Sequence, residues 1–224
     1  DKNGQRIPGV ISVSNLNKGA PMKLPLSVQQ SLLDNGISTV VSGHQPFGDV
    51  PLVISHCSGD WHKEGRHLKV ITADTSYSND TIWLNEHGNV DQKVNRQPSS
   101  GASLKEGNGT RGSAISEVVF SQSSGSDSKE TTTNIHGVLS NGLPYDYMIP
   151  SSSHRTSSHS ECSIDTSNIV GLEIGDGWWT RALLSDDQVL CSKGEGFKVT
   201  NRVYDLKTVE WLLRTLPSHA FGPW

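Results

Sequence analysis

The chain has 224 residues, 33% of them hydrophobic, with 22 glycines and a formal net charge of −4, which suffices for one sizeable core surrounded by long polar loops. Its 19 Lys and Arg are scattered rather than gathered in a stripe, so the electrostatic footprint of a nucleic-acid binder is excluded. No apolar run reaches the roughly 20 residues of a membrane-spanning helix, and the opening DKNGQRIPG holds no signal-peptide core, which reads as a soluble, intracellular protein.

In chain order, Leu26 to Asn35 is predicted to be a short helix. Ser27 serves as its cap, Gln30 stands at the capping-box position and Gly36 is a left-handed stop. Val28, Leu32 and Leu33 give it an apolar stripe. Ile37 to Ser42 is β-branched and apolar and ends at Gly43, the pattern of a buried strand. Pro51 to Ile54 and Leu68 to Ala73 are two further strands, separated by the polar segment His56 to Arg66.

Asn85 to Gly112, Ser121 to Ser128 and Ser151 to Ser167 are rich in Gly, Asn and Ser and read as mobile or peripheral loops. Between them lie short strands at Ser113 to Phe120, Thr131 to Leu139 and Tyr145 to Ile149. Asn141-Gly142 joins the last two as a hairpin, because both residues tolerate positive φ. Strands follow at Ile169 to Ile174, Trp178 to Leu184, Gln188 to Ser192 and Gly196 to Tyr204. Asp205 then caps a final helix, Leu206 to Leu216, with Val209, Leu212, Leu213 and Leu216 on one side. The fold expected is α+β, a single domain over 1–224 with mostly antiparallel strands, two helices and long polar loops.

Three cysteines, Cys57, Cys162 and Cys191, are too few and too widely spaced for a disulfide framework or a zinc knuckle and read as ordinary thiols. His56, His62 and His67 form an unpatterned cluster, read as exposed histidines rather than a zinc site. His136 reads as a satisfied sheet histidine, Gly175-Asp176-Gly177 as a turn feeding a strand with a buried Trp, and Lys193-Gly194-Glu195-Gly196-Phe197 as a hairpin turn rather than a phosphate loop.

The segment that carries chemistry is Val40-Val41-Ser42-Gly43-His44-Gln45-Pro46-Phe47-Gly48-Asp49, an apolar strand that delivers an imidazole and then a Gly-Asp pair. A strand end presents such a ring rigidly to a metal; the same residues also suit a histidine bonded to loop backbone above a Gly-Asp turn. Together with Val70-Ile71-Thr72-Ala73-Asp74-Thr75-Ser76-Tyr77-Ser78, the segment resembles the last metal-histidine motif and the overhanging loop of calcineurin-like metallophosphoesterases, in particular the protein serine/threonine phosphatase branch. The likeness covers residues 24–80, and more loosely the β-rich 113–204 and the terminal helix 205–216.

The resemblance implies the C-terminal half of a metallophosphoesterase β-sandwich flanked by helices. It also implies a two-metal centre of Mn, Fe or Zn that activates water and clamps the oxygens of a phosphomonoester. In it His44 is a metal ligand, Tyr77 contacts the phosphate or leaving group, and Asp74 orients the substrate or a ligand from behind. Gln45 and Asp49 fix the loop or bond groups behind the ligands.

Pro46 stands where many members carry a second histidine. The Asp-X-His, Gly-Asp and Gly-Asn-His motifs that supply most ligands are not found before His44. One ligand cannot hold two ions, so the expected partners are a phosphorylated substrate and a protein partner or the missing N-terminal half of the same domain. The alternative is a non-catalytic structural or interaction subunit that keeps the scaffold.

Overall fold

The computed structural model describes residues 16–17, 19–43, 47–56, 66–75, 82–84, 114–122, 131–139, 142–149, 169–195 and 198–215. The loops expected at Asn85 to Gly112 and Ser151 to Ser167 lie outside them, as does all but Ser121 and Gln122 of the loop expected at Ser121 to Ser128. The described residues form mostly antiparallel sheets with two helices. No described helix is long and apolar enough to cross a membrane.

Strands β1 (Leu16–Asn17) and β2 (Ala20–Pro21) make a small hairpin, and helix α1 follows at Leu26–Asp34. Its stop is as expected: Gly36 has φ +74, its N–H donates to Leu33 O, and Ile37 N–H donates to Leu32 O, the two bonds of a Schellman turn. Its start differs. The helix begins two residues earlier than Ser27 could cap it, Pro25 holds the cap position without a side-chain bond, and Gln30 reaches forward to Asp34 instead of back. The buried face is Gln29 and Leu33, whereas Val28 is exposed. Gln29 is inward with its side-chain N–H donating to Leu24 O, which offsets part of the cost of burying the amide.

Strands β3 (Thr39–Ser42), β4 (Leu52–His56) and β5 (Leu68–Thr72) form one sheet in the order β3-β5-β4. β3 runs parallel to β5 and β4 antiparallel to it. The expectation of a buried strand at Ile37 to Ser42 fails on its outer side: β3 is an edge strand, and Val41 is 48% exposed. β4 is buried throughout. That corrects the reading of His56, which is fully buried and accepts Leu24 N–H at Nε2, 2.9 Å; His67 is half-buried and His62 lies outside the described residues.

Strands β6 (Ile82–Leu84), β7 (Ile115–Gln122), β8 (Thr131–Val138), β9 (Pro144–Ile149), β10 (Trp178–Ser185), β11 (Gln188–Glu195) and β12 (Lys198–Asp205) complete the sheets. β7-β8-β9 is an antiparallel meander in which β8 and β9 pair as the expected hairpin, with Gly142 at φ +85 and Asn141 outside the described residues. β10-β11-β12 is another, with β6 added in parallel. Helix α2 (Leu206–Thr215) starts where Asp205 accepts Thr208 N–H at 2.8 Å and turns Val209 and Leu213 inward. His136 sits in β8, 2.9 Å from Glu117.

Ile169 to Ile174 is not the strand expected. Gly171 has φ +85, and only Glu173 makes an isolated bridge, to Trp179. The backbone here divides its bonds between two sheets. Gly171 O accepts Ser55 N–H of β4, while Gly171 N–H donates to Thr180 O of β10. Ser55 Oγ bonds Val170 O, and Thr180 Oγ1 bonds Ile169 O. One core then joins Val53 and Ile71, Ile135 and Tyr147, Ile169, Ala182, Leu190, and Val209 and Leu213.

Burial, with Lys23 as the second cause, pulls the His56 imidazole from its ordinary 6.5 to about 4. Between those values the unfolded chain binds a proton that the folded chain refuses, so stability is full above about 6.5 and declines as pH falls toward 4, by roughly 3 kcal/mol at most. Urea unfolding of wild type and His56→Gln across this window is expected to show a steeper loss in wild type. Equal slopes would contradict the assignment.

Candidate functional site

The parallel pairing of β3 with β5 ends at a common rim. The register runs Thr39↔Lys69 to Ser42↔Thr72, Ala73 N–H donates to Ser42 O at 2.9 Å, and the hydroxyls of Ser42 and Thr72 lie 3.3 Å apart. Gly43 and Ala73, the residues that next leave each strand, therefore emerge side by side, and Asp74 follows one residue on. A parallel pair puts both C-terminal ends on one edge, where α/β sheets usually build their sites. Asp74 is half-buried. His44, Gln45 and Pro46 lie outside the described residues, and so does Tyr77.

The chain returns at Phe47 and is anchored immediately. Phe47 is 2% exposed, and Gly48, Asp49 and Val50 are buried with it. Arg181, on β10 and 1% exposed, donates through Nη2 to Phe47 O at 2.7 Å and to Val50 O. Its guanidinium also lies 4.5 Å above the centre of the Phe47 ring. On its far side that ring rests against Gly194 of β11, where a Cβ would stand 2.3 Å from Phe47 Cε2 and 2.1 Å from Gly19 O. Only a bare backbone admits the ring and the first hairpin together.

The surroundings of Arg181 are electrostatically consistent with a retained charge. Burial pulls its guanidinium down to about 10, opposed by Tyr147, Tyr145 and Asp49, so it stays protonated at neutral pH. Tyr147 donates its hydroxyl to Arg181 O at 3.1 Å. Burial also pushes the phenols of Tyr145 and Tyr147 and the thiol of Cys191 well above their ordinary ranges, so all three are neutral.

Of the residues singled out from sequence, the fold brings Asp74 to the rim that Gly43 leaves, and it sends Asp49 into the interior near Arg181. Arg181 itself was missed. The signal was present in Trp178-Trp179-Thr180-Arg181-Ala182-Leu183-Leu184, because an arginine inside an apolar strand is almost never fully buried without a partner. Gly194 was read only as part of a turn, whereas it belongs to β11 and the turn lies between Glu195 and Lys198.

A metal pair needs several carboxylate, amide and imidazole donors at about 2 Å. Among the described residues no group of three or more His, Cys, Asp or Glu is placed to hold a metal ion, so these residues do not by themselves fit such a centre. Comparison with protein-family models, with curated proteins and with solved structures gives no match.

Gly194→Ala is expected to cost about 1–3 kcal/mol through overpacking against the Phe47 ring and Gly19. Denaturant unfolding measures it, and an unchanged midpoint would show that the ring is not held there.

Proposed function

We propose that this chain supplies one wall of a metal-dependent phosphomonoesterase site, with a Mn, Fe or Zn pair held chiefly by residues outside these 224. The observation that supports this reading is the parallel β3 and β5 pairing, which sets the backbone leading into His44 beside Asp74 at one sheet edge. Here the neutral imidazole of His44 is one ligand, and Asp74 and Tyr77 orient the phosphate ester from the neighbouring strand end. Gln45 acts beside His44, while Asp49 holds the loop from beneath. The reaction class is hydrolysis of a phosphomonoester to an alcohol and inorganic phosphate.

A second reading, an interaction subunit without catalysis, draws on the outward face of the β7-β8-β9 sheet. Ile115 and Val138 are cross-strand neighbours there, and Met148 projects from the same face; Ile115 is 67% and Met148 60% exposed. Apolar side chains in such positions suit contact with the polypeptide that completes the domain.

The test compares this chain with the complete polypeptide or assembly for tightly bound metal and for p-nitrophenyl phosphate turnover with added manganese. The 224 residues alone are expected to show neither and the complete form both. In the complete form, His44→Ala is expected to lose one metal equivalent and at least about 100-fold in turnover, since even residues behind metal ligands cost 10–100-fold. Full turnover and metal content in His44→Ala, or a complete form that binds no metal, would favour the second reading.

A further inference from the structure

Strand β10 carries an irregularity at the residue that clasps the rim loop. Thr180 pairs with Cys191 and Ala182 with Leu190, so Arg181 is an extra residue on one side of the ladder. Such a bulge bends the strand and re-aims a side chain. Trp179, Thr180, Arg181 and Ala182 are all buried, so both faces of the strand are covered here, and Arg181 shares the face of Trp179, which packs with Phe47.

The side chain crosses to a segment 131–134 residues away and meets it through one nitrogen, Nη2, which donates to the carbonyls of both Phe47 and Val50. It also faces the ring of Phe47. Two donated bonds and the flat face of the cation together fix the segment's position, and a compact ammonium lacks that face.

We infer that Arg181 is the positioning residue for the segment that follows the rim, holding Phe47 to Val50 so that the chain re-enters the interior at a fixed place. Ser42, at the end of β3, is tied separately through Ala73 N–H of the neighbouring strand. The consequence for catalysis rests on the proposed role of His44; the clasp itself does not.

The experiment measures backbone 15N order parameters in the full chain. Gly48, Asp49 and Val50 are expected near about 0.85 in wild type and below about 0.6 in Arg181→Met, with Leu52 to His56 unchanged. Arg181→Lys is expected to restore part of the difference, because an ammonium can donate to these carbonyls but lacks the flat face set over the Phe47 ring. Phe47→Leu, which keeps both carbonyls and removes only the ring face, is expected to loosen the segment less. Unchanged order in Arg181→Met overturns the inference; should that variant not fold, unchanged order in Phe47→Leu does so.

In the complete polypeptide or assembly, Arg181→Met is expected to lower kcat for p-nitrophenyl phosphate about 10–100-fold with KM nearly unchanged, as misplacement near a reacting centre does. A loosened segment with unaltered kcat overturns the catalytic consequence. Failure of the phosphoesterase reading is a separate result, full turnover in His44→Ala.

Discussion

A protonated guanidinium sits in the interior of this protein, and the position of its most distinctive loop depends on it. Removing such a charge from water costs several kcal/mol even after relaxation. Against this stand hydrogen bonds from a charged donor to two carbonyls, at about 1.5–3 kcal/mol each, and a desolvated cation–π contact of about 2 kcal/mol. The opposing sums are comparable, so Arg181 adds little net stability. What it adds is specificity: Phe47 and Val50 are buried, and their carbonyls find a charged donor in Arg181. An apolar side chain of the same size could fill the space without choosing where the loop lies.

The same logic of shared bonding recurs in the segment Ile169 to Ile174. Its backbone serves β4 on one side and β10 on the other, and Ser55 and Thr180 reinforce each connection with a hydroxyl. The three larger sheets and α2 thereby draw on one apolar core. The Arg181 clasp is a second crossing between the same regions, on the residues that lead into β4. Together the two crossings hold the β3-β5-β4 sheet, and with it the rim, against the β-rich remainder.

Much of this architecture could be read from local signals. The Asn141-Gly142 hairpin, the Asp205 cap, the left-handed Gly36 and the strand at Trp178 to Leu184 follow from chemistry contained within a few residues. The failures share a different origin. Val41 looks buried by composition, yet its exposure is decided by β3 being an edge strand. His56 looks like part of a polar cluster, but it belongs to the buried end of β4 because Leu24, 32 residues earlier, offers it a donor. Ile169 to Ile174 has strand composition and is diverted by partners in two sheets.

The site divides in the same way. His44 and Asp74 can be singled out from sequence because apolar strands deliver them. The side-by-side exit of β3 and β5 needs the parallel register, which no local pattern encodes. What Arg181 binds lies 131–134 residues away, a distance that local composition does not reveal.

The bridging segment and the clasp also bear on how the chain reaches its native state. Ser55 meets Val170 across 115 residues, and Arg181 meets Phe47 across 134, whereas the β7-β8-β9 and β10-β11-β12 meanders are built from neighbours in sequence. Closing such long loops is entropically costly before any contact rewards it. The meanders are therefore expected to form early and the two crossings late, which leaves the rim of β3 and β5 among the last regions to acquire its final geometry.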